Sequence, residues 1–295
     1  MDFKRVALSS IVTMAALAAA AGVAWAASQG GASIVGIPVV MLCAALAFGV
    51  QWIAFLPAYA KQTERYYDAT GSLTYVTVVG FAIIASRAFD LRSMILGLLI
   101  FVWAARLGTF LLRRIRSEGS DGRFDDIKPS AARFFVAWTL QGLWVFLTSS
   151  AALAAITTEA PRAFGWRDVL GAAIWLLGFT IEVIADFQKR RFRERNPGRF
   201  VHTGLWAWSR HPNYFGEIVL WLGVFTIASS TLVGWQWVTV ISPLFVVFLL
   251  TKVSGIPMLE KRAEDRWGDH ESYRRYKEST PVLIPRPPRR RSAEG

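Results

Sequence analysis

Long apolar runs alternate with short polar joints along the whole chain. About 20 apolar residues in a helix cross the hydrocarbon core of a bilayer, and eight runs approach that length. The runs cover residues 6–26, 34–56, 73–89, 93–112, 134–156, 169–185, 214–230 and 233–253. Because a segment in lipid must satisfy its own backbone hydrogen bonds, each run predicts a helix. The predicted fold class is all-α, a polytopic integral membrane helix bundle with seven or eight transmembrane helices.

The composition indicates a membrane protein and excludes several other classes. Hydrophobic residues make up 54% of the 295 residues, and the mean hydropathy is +0.36, which a soluble domain rarely reaches. The net charge is +12, but the basic residues lie in the joints, where membrane topology places them. We therefore expect no nucleic acid partner. The single Cys43 excludes an internal disulfide and a cysteine-based metal site.

The charge of the joints predicts the orientation of the chain. The basic joints are residues 4–5, 61–65, 113–133, 189–210 and those after 252, and the weakly charged joints lie near residues 28, 90, 159 and 231. This alternation predicts cytoplasmic amino and carboxyl ends in a bacterial cytoplasmic membrane. The first run is also compatible with a signal peptide, because Lys4 and Arg5 precede an apolar core that ends in Ala24-Trp25-Ala26. Cleavage there would leave seven spans.

The chain is predicted to form one membrane-embedded domain over residues 1–295, because no soluble domain, repeat or low-complexity linker interrupts it. Its parts are N-terminal spans at 1–56, central spans at 57–185, a C-terminal region at 186–285 and a tail at 286–295. The tail is rich in Pro and Arg, and we expect it to be disordered near anionic lipid headgroups.

The segment from Asp186 to Glu217 is basic and rich in aromatic residues, and it lies between two apolar runs. Pro and Gly residues break the helix within it, and a new helix is predicted to start around Pro212, since proline is tolerated in a first helical turn. The amide-rich start of that helix, with Arg210 beside it, suits an anion such as a diphosphate. The alternative is a cytoplasmic loop with a helix cap.

The residues GLWAWSRHPNYFGEIVLWLG, with Asp186 before them and DRWGDHESYRRYKESTPVLIP after them, resemble the membrane steroid 5-alpha-reductase family. A looser similarity reaches the sterol C14 reductases. A similarity limited to Arg210-His-Pro, Tyr214, Gly216 and Glu217 reaches the isoprenylcysteine and phospholipid methyltransferases, which use S-adenosylmethionine. The resemblance to the reductases covers about the last hundred residues well and the first hundred loosely.

The resemblance implies NADPH as the cofactor and helix ends with arginines as its holders. Asp186 matches an aspartate near the nucleotide, Asn213 and Glu217 match residues at the nicotinamide end, and the tail matches a Tyr/Arg cluster at the phosphates. The full set of cofactor candidates is Arg106, Asp186, Arg190, Arg193, Arg195, Arg210, His211, Asn213, Tyr214, Glu217, Arg262, Arg266, Tyr273 and Tyr276. The residues alone leave open a capping role for Asn213, a pair of Glu217 with Arg210, and an amphipathic surface helix for the tail.

Other cofactor and metal motifs are absent from the sequence. There is no Gly-x-Gly-x-x-Gly after a predicted strand and no phosphate loop, and the three histidines lack metal-ligand spacing. We expect no metal.

The joint between the second and third runs carries the catalytic candidates Glu64, Gln62 and Tyr67. On a helix, Glu64 and Asp68 share a face, so a carboxyl group would look into the bundle, where apolar surroundings keep it protonated. The family resemblance implies a Gln-Glu pair here whose glutamic acid is bonded to the substrate ketone, although this chain has one residue inserted between the two. The alternative is a solvated connector paired with nearby basic residues.

Arg106 lies inside the fourth run, and a buried arginine in a span usually has an anionic partner. Its alternative is a side chain that snorkels to the interface. Trp103 stands where the reductases of the family carry a tyrosine one turn before this arginine.

The sequence therefore predicts NADPH-dependent reduction of the carbon–carbon double bond of an apolar, steroid-like enone within the membrane. Hydride goes to the β carbon while Glu64, as a neutral acid, hydrogen-bonds the ketone. The first alternative is methyl transfer from S-adenosylmethionine to a lipid or isoprenylcysteine acceptor. The second is a non-catalytic protein that binds anionic lipids. The oligomeric state stays open.

Overall fold

The computed structural model describes residues 3–118, 122 and 124–288. Side chains within 110–118, and residues 289–295 of the predicted tail, lie outside this description. The α-helices are α1 Phe3–Ala27, α2 Val39–Ala60, α3 Tyr67–Ala85, α4 Leu91–Glu118, α5 Ala131–Ile156, α6 Trp166–Arg195, α7 Pro212–Ala228, α8 Ile241–Phe248, α9 Ile256–Trp267 and α10 Glu271–Ser279. Strands β1 Ser33–Ile34 and β2 Ile37–Pro38 pair antiparallel.

The all-α class and the span number are confirmed. Seven helices of the described chain are long and apolar enough to cross a membrane. The predicted run at 214–230 forms α7, whose 17 residues extend about 26 Å at 1.5 Å per residue, a little less than the hydrocarbon core of about 30 Å. The number of spans is therefore eight if α7 is counted and seven if it is not.

The chain divides into two compact units. The first unit comprises Met1–Val169 with Val224–Ser242, and the second comprises Leu170–Gly223 with Pro243–Gly295. The predicted C-terminal region falls mainly in the second unit, and the catalytic candidates of the α2–α3 joint fall in the first. The single-domain assignment stays a prediction.

Helix α5 is the centre of the first unit. Nearly all of its residues from Trp138 to Ile156 are buried, and α1, α2 and α3 pack against it. Most of its hydroxyl side chains have hydrogen-bond partners nearby, although Thr148 Oγ1 has none among the described residues. Ser149 Oγ donates to Val145 O at 2.6 Å, and Trp52 Nε1 donates to Thr139 Oγ1 at 3.1 Å. The other helices of the unit expose apolar side chains, as lipid-facing helices do.

A buried ion pair joins the start of α4 to the first turn of α6 in the first unit. Arg92 Nε and Nη2 lie 2.7 and 2.9 Å from the two oxygens of Asp168. Arg92 also donates to the carbonyls of Arg162 and Ala163, and Ser230 Oγ donates to Asp168. Both charged side chains are at most 3% exposed. Such a pair is tolerated because hydrogen bonds satisfy the remaining polar atoms.

In the second unit, glycines let α6 and α7 approach to backbone contact. A Cβ on Gly178 would lie 2.4 Å from Leu220 N, and one on Gly216 would lie 2.6 Å from Gly178 O. One on Gly223 would lie 2.5 Å from Trp175 N. Small residues at such a seam allow close packing of membrane helices. The contacts step along the antiparallel pair turn by turn, so the seam fixes the register of α6 against α7.

The chain after α8 bends before it enters α9. A π-helical turn, Leu249–Val253, is followed by Gly255, where a Cβ would lie 2.5 Å from Leu250 O. Pro257 then sits in the first turn of α9, where a missing N–H costs nothing. The bend starts a new helix immediately after an apolar segment, and Glu260 lies in its second turn.

Aromatic rings hold α10 against the loop before α7. Phe200 contacts Tyr273 and Tyr276 with ring centroids 5.2 and 5.4 Å apart, and Tyr276 Oη donates to Trp206 O at 2.7 Å. The carboxyl-terminal segment then returns along this loop, where Ser209 Oγ donates to Leu283 O at 2.8 Å. These contacts form a small core of the second unit.

Candidate functional site

The first turn of α7 is the centre of the candidate site. The two residues that precede this turn already use their backbone N–H groups. The N–H of Arg210 donates to Pro281 O at 2.9 Å, and that of His211 donates to Ser209 Oγ at 3.1 Å. Pro212 has no N–H. The predicted diphosphate therefore finds fewer backbone donors at this helix end than a helix start usually offers.

Glu260 of α9 connects the two residues before α7. Arg210 Nη1 donates to Glu260 Oε2 at 2.5 Å, and His211 Nε2 lies 2.7 Å from Glu260 Oε1. His211 is buried, and its ring stacks on Tyr214 with centroids 5.7 Å apart. Glu260, not Glu217, is thus the carboxylate that pairs with Arg210. Glu217 lies one turn beyond Asn213 on α7, partly buried.

Asp186 and Asn213 meet across the glycine seam. Asn213 Nδ2 donates to Asp186 Oδ1 at 3.2 Å. The register of α6 and α7 causes this contact, since Glu182 of α6 lies beside Gly216 of α7 and Asp186 is one turn farther along. The structure therefore brings together two of the predicted cofactor residues.

Three buried polar atoms at the start of α7 have no hydrogen-bond partner among the described residues. They are Arg210 Nε, His211 Nδ1 and Asn213 Oδ1. Buried polar atoms are paired in most folded proteins, and an exception needs an explanation. A bound polar ligand is a direct explanation, so these atoms are the best structural argument for a binding site.

Basic side chains of the second unit supply candidates for phosphate contacts. Arg190, Arg193 and Arg195 are exposed at the end of α6, and Arg262 and Arg266 are exposed on α9. Exposed guanidinium groups fit the predicted phosphate role because they are hydrated and can form bidentate contacts.

Lys189 is a further cation in the second unit. Its ammonium group lies 4.8 Å from the centre of the Trp206 ring, and the Trp206 Nε1 donates to Ala185 O at 2.9 Å. Burial lowers the pKa of Lys189 to about 8, and the nearby Asp186 opposes that shift, while the aromatic face is a favourable partner for the cation.

Tyr273 and Tyr276 are used by the fold. Burial raises the pKa of Tyr273 to about 12 and raises that of Tyr276 as well, so both phenols stay protonated at neutral pH. The Tyr276 hydroxyl is bound to the Trp206 carbonyl. Their predicted contact with phosphates stays a prediction, and their described contacts are with the aromatic core of the unit.

Glu64 of the first unit lies in a turn and not on a helix. α3 begins at Tyr67, Gln62 has a left-handed φ of 49°, and the N–H of Thr63 donates back to Ala58 O at 2.9 Å. The face that Glu64 and Asp68 were predicted to share does not exist, because the chain turns between α2 and α3. Glu64 is nonetheless 5% exposed.

Lys128 is the described partner of Glu64. Its ammonium lies 2.7 Å from Glu64 Oε2 and 3.1 Å from Asp125 Oδ1. The hydrogen bond to Glu64 raises the pKa of Lys128, and an ammonium at this distance favours the ionised carboxylate. The neutral Glu64 of the sequence-based prediction is therefore corrected to a member of a charged pair whose proton lies on Lys128.

The other two catalytic candidates are placed differently. Gln62 is exposed, and its Nε2 donates to Tyr59 O at 2.8 Å. Tyr67 is half-buried, donates to Ala137 O at 2.8 Å and packs on Phe124. Both side chains have structural hydrogen bonds, and their catalytic roles stay predictions.

Arg106 is half-buried on α4, three residues after the buried Trp103. Trp103 packs edge-on against Tyr75 with ring centroids 5.1 Å apart, so the tryptophan fills core space in this chain. The cofactor role of Arg106 stays a prediction.

Sequence reasoning missed Glu260 and Lys128. Glu260 is the first acidic residue after the last apolar run. Its position at the end of that run could have marked it as a candidate partner for the basic residues before α7. Lys128 lies in a joint with several acidic and basic residues, where no local pattern marks it.

Comparison with known proteins gives a family match and partial relatives. Residues 54–280 match the family model described as "Protein of unknown function (DUF1295)". An uncharacterized protein of Schizosaccharomyces pombe is 29% identical over 184 residues, which are 52% of this chain and 52% of that protein. The 3-oxo-5-alpha-steroid 4-dehydrogenase 1 of Rattus norvegicus is 33% identical over 119 residues, 39% of this chain and 40% of the rat protein.

The steroid 5-alpha-reductase DET2 of Arabidopsis thaliana is 27% identical over 124 residues, 41% of this chain and 42% of the plant protein. The chain thus spans about half the length, or less, of these relatives. No solved structure matches the chain.

Proposed function

This chain belongs to the DUF1295 family, a steroid 5-alpha-reductase-like family of membrane proteins, and from that premise we propose that it reduces an apolar enone with NADPH. The observation that carries the proposal is the group of buried polar atoms without described partners at the start of α7. They belong to residues that the family resemblance assigns to the cofactor, and one of these residues, Asn213, donates through its Nδ2 to Asp186.

The nicotinamide, when bound, supplies a hydride to the β carbon of the enone. The residues of the second unit bind and orient the cofactor: the arginines at the end of α6 and on α9 meet its phosphates, and Asn213, His211 and Arg210 meet its polar ring substituent. The predicted donor to the enone oxygen is Glu64, whose pair with Lys128 lies in the first unit. A donor at that oxygen stabilises the negative charge that develops in the transition state.

The substrate class follows from the membrane setting and from the relatives. An apolar enone dissolves in the bilayer, and the rat and bovine relatives are named as 3-oxo-5-alpha-steroid 4-dehydrogenases. A 3-oxo-4-ene steroid or a lipid with the same enone group is the proposed substrate.

Thermal unfolding of the purified protein in detergent tests the cofactor. NADPH at about a hundred times its Kd should add roughly 2.7 kcal/mol of stability, and S-adenosylmethionine should add none, because a sulfonium cofactor does not use the phosphate-binding arginines. Asn213→Ala and Glu217→Ala should weaken NADPH binding in folded protein. Stabilisation by S-adenosylmethionine without any effect of NADPH would replace the reductase by the methyltransferase. If neither ligand stabilises the protein, the enzymatic proposal fails.

A further inference from the structure

We propose that Glu260 is a positioning residue that holds the His211 proton on Nε2, so that His211 Nδ1 and Asn213 Oδ1 together accept hydrogen bonds from an amide-type group of the ligand. The inference rests on the proposed function and adds to it the kind of ligand group that binds at the start of α7. Glu260 contacts neither Asn213 nor any other predicted cofactor residue besides Arg210 and His211 in the described interactions.

The proton position of His211 follows from the chemistry of its partner. Glu260 is held ionised by Arg210 Nη1 at 2.5 Å, and an ionised carboxylate accepts hydrogen bonds only. The 2.7 Å contact with His211 Nε2 therefore requires a proton on Nε2. In a neutral imidazole the other ring nitrogen is then an acceptor, and that atom, Nδ1, is buried without a described partner.

The orientation of Asn213 follows in the same way. Its Nδ2 donates to the Asp186 carboxylate at 3.2 Å, so its Oδ1, the acceptor, is the buried atom without a described partner. Arg210 Nε is a third such atom and is a donor. The start of α7 therefore offers two acceptors and one donor.

This pattern selects between two parts of a dinucleotide. A phosphate has only acceptor oxygens at neutral pH and leaves both acceptors of the site unpaired, which is costly for buried groups. A primary carboxamide carries two N–H donors and one carbonyl acceptor, so it satisfies all three atoms. The carboxamide of a nicotinamide fits the start of α7, and the phosphates belong at the exposed arginines.

The arrangement also predicts a pH dependence. Burial lowers the pKa of His211 below its ordinary 6.5, the charges of Lys189 and Arg210 act in the same direction, and the hydrogen bond and charge of Glu260 oppose them. The ring is thus neutral at pH 7. As the pH falls below 6.5 and through the lowered pKa, Nδ1 gains a proton and stops accepting. Affinity for the carboxamide should therefore fall on the acid side.

The test compares NADPH with its 3-acetylpyridine analogue, in which a methyl group replaces the amide nitrogen. The wild-type protein should prefer NADPH by at least roughly 5- to 150-fold, the cost of one unpaired buried acceptor, since the analogue leaves both acceptors unpaired. His211→Phe, which keeps a ring against Tyr214, should reduce that preference at least several-fold and remove the fall in affinity at acid pH. His211→Phe should bind 2′-phospho-ADP-ribose, which lacks the nicotinamide, like the wild type.

Nitrogen-15 NMR of the three histidines reads the proton position without any ligand. His211 should carry its proton on Nε2 in the wild type, and Glu260→Gln should mix the two neutral forms, because an amide both donates and accepts. Glu271→Gln is the matched control, since Glu271 is exposed and pairs with Arg275 on α10. It should change neither the spectrum nor the preference.

The outcomes separate the inference from the proposed function. A proton on Nδ1 in the ligand-free wild type overturns the role of Glu260. Equal affinity for NADPH and the analogue overturns the carboxamide assignment while leaving the reductase intact. Failure of both dinucleotides to bind overturns the proposed function and the ligand part of the inference together, and the NMR result still decides the proton position.

Discussion

Three groups of buried or part-buried charged side chains in the described chain are held by partners that are distant in sequence. Arg92 binds Asp168, Glu64 binds Lys128, and Glu260 binds Arg210 and His211. A buried charge is stable only when it is paired and hydrogen-bonded. Each pair therefore constrains both the fold and the charge state of any site that uses it.

We expect Glu64→Ala to reduce turnover about 10²- to 10³-fold, the usual loss for one donor group at a developing oxyanion, because Lys128 loses the partner that holds it, while NADPH binding is retained. Glu64→Gln should keep part of the activity, and Lys128→Met should lose as much as Glu64→Ala, because the pair carries its proton on Lys128. Single-turnover oxidation of NADPH with a 3-oxo-4-ene steroid measures the activity of all three variants. Asp68→Ala is the control and should turn over normally. If Lys128→Met is fully active while Glu64→Ala is inactive, Glu64 acts alone as a neutral acid and Lys128 is not needed.

We expect Arg92→Met to destabilise the protein by about 3–5 kcal/mol, because it leaves Asp168 buried without its counter-ion. The double variant Arg92→Met/Asp168→Leu should recover much of that loss, since no uncompensated charge remains. Thermal unfolding in detergent measures both. Arg167→Met, at an exposed neighbouring position, should stay within about 0.5 kcal/mol of the wild type. Equal small effects of Arg92→Met and Arg167→Met would mean that water reaches the pair.

The element that positions the candidate site is the antiparallel pair of α6 and α7. Its glycines bring backbone against backbone, and the resulting register places Asp186 at Asn213. The bend before α9 has a similar effect on Glu260. Helix length and hydropathy do not specify either arrangement, because both depend on which residues face a neighbouring helix.

We expect Gly216→Ala to lower stability by about 1–3 kcal/mol through overpacking and also to weaken NADPH binding, because the added Cβ lies 2.6 Å from Gly178 O and must separate the helices. Gly80→Ala on α3 is the matched control. It has no atom within 4 Å of the new Cβ, so it should be neutral or slightly stabilising, since alanine is the better helix former. Unfolding and ligand titration in detergent compare them, and equal behaviour would argue against a tight seam.

At the scale of the whole molecule, the distribution of basic residues predicts how the chain is oriented across the membrane. The segments around residues 90 and 159 contain Arg87, Arg92, Arg162 and Arg167 against Asp90, Glu159 and Asp168. Their net charge is therefore small, and Arg92 is paired with Asp168. The basic joints, by contrast, expose arginines at the end of α6. This difference is what the positive-inside rule uses.

We expect a cysteine at Arg199 to face the cytoplasm and one at Glu159 to face the opposite side, each in a Cys43→Ser background. Both positions are exposed, so a membrane-impermeant maleimide can label either. In intact cells only Glu159→Cys should react, and Arg199→Cys should react after the membrane is opened. The reverse labelling pattern would invert the predicted topology.

The sequence by itself determined the membrane class, the all-α fold, the positions of the spans and the family. Hydropathy and a local motif are properties of neighbouring residues, and the bilayer requires helices wherever the apolar runs are long enough. Asp186, Asn213 and His211 were proposed from the resemblance, and their cofactor roles stay predictions. The roles of these residues could be proposed from the resemblance, but their hydrogen-bond partners could not.

Only the tertiary structure decided those partners. Glu260 reaches His211 across 49 residues and Arg92 reaches Asp168 across 76, and no periodicity connects such positions. The turn at residues 61–66 removed the face predicted for Glu64 and Asp68, because the chain satisfied its backbone with a local hydrogen bond to Ala58. The charge state of Glu64 and the acceptor nitrogen of His211 depend on which side chains the packing brings within hydrogen-bond distance, and that information is not local in the sequence.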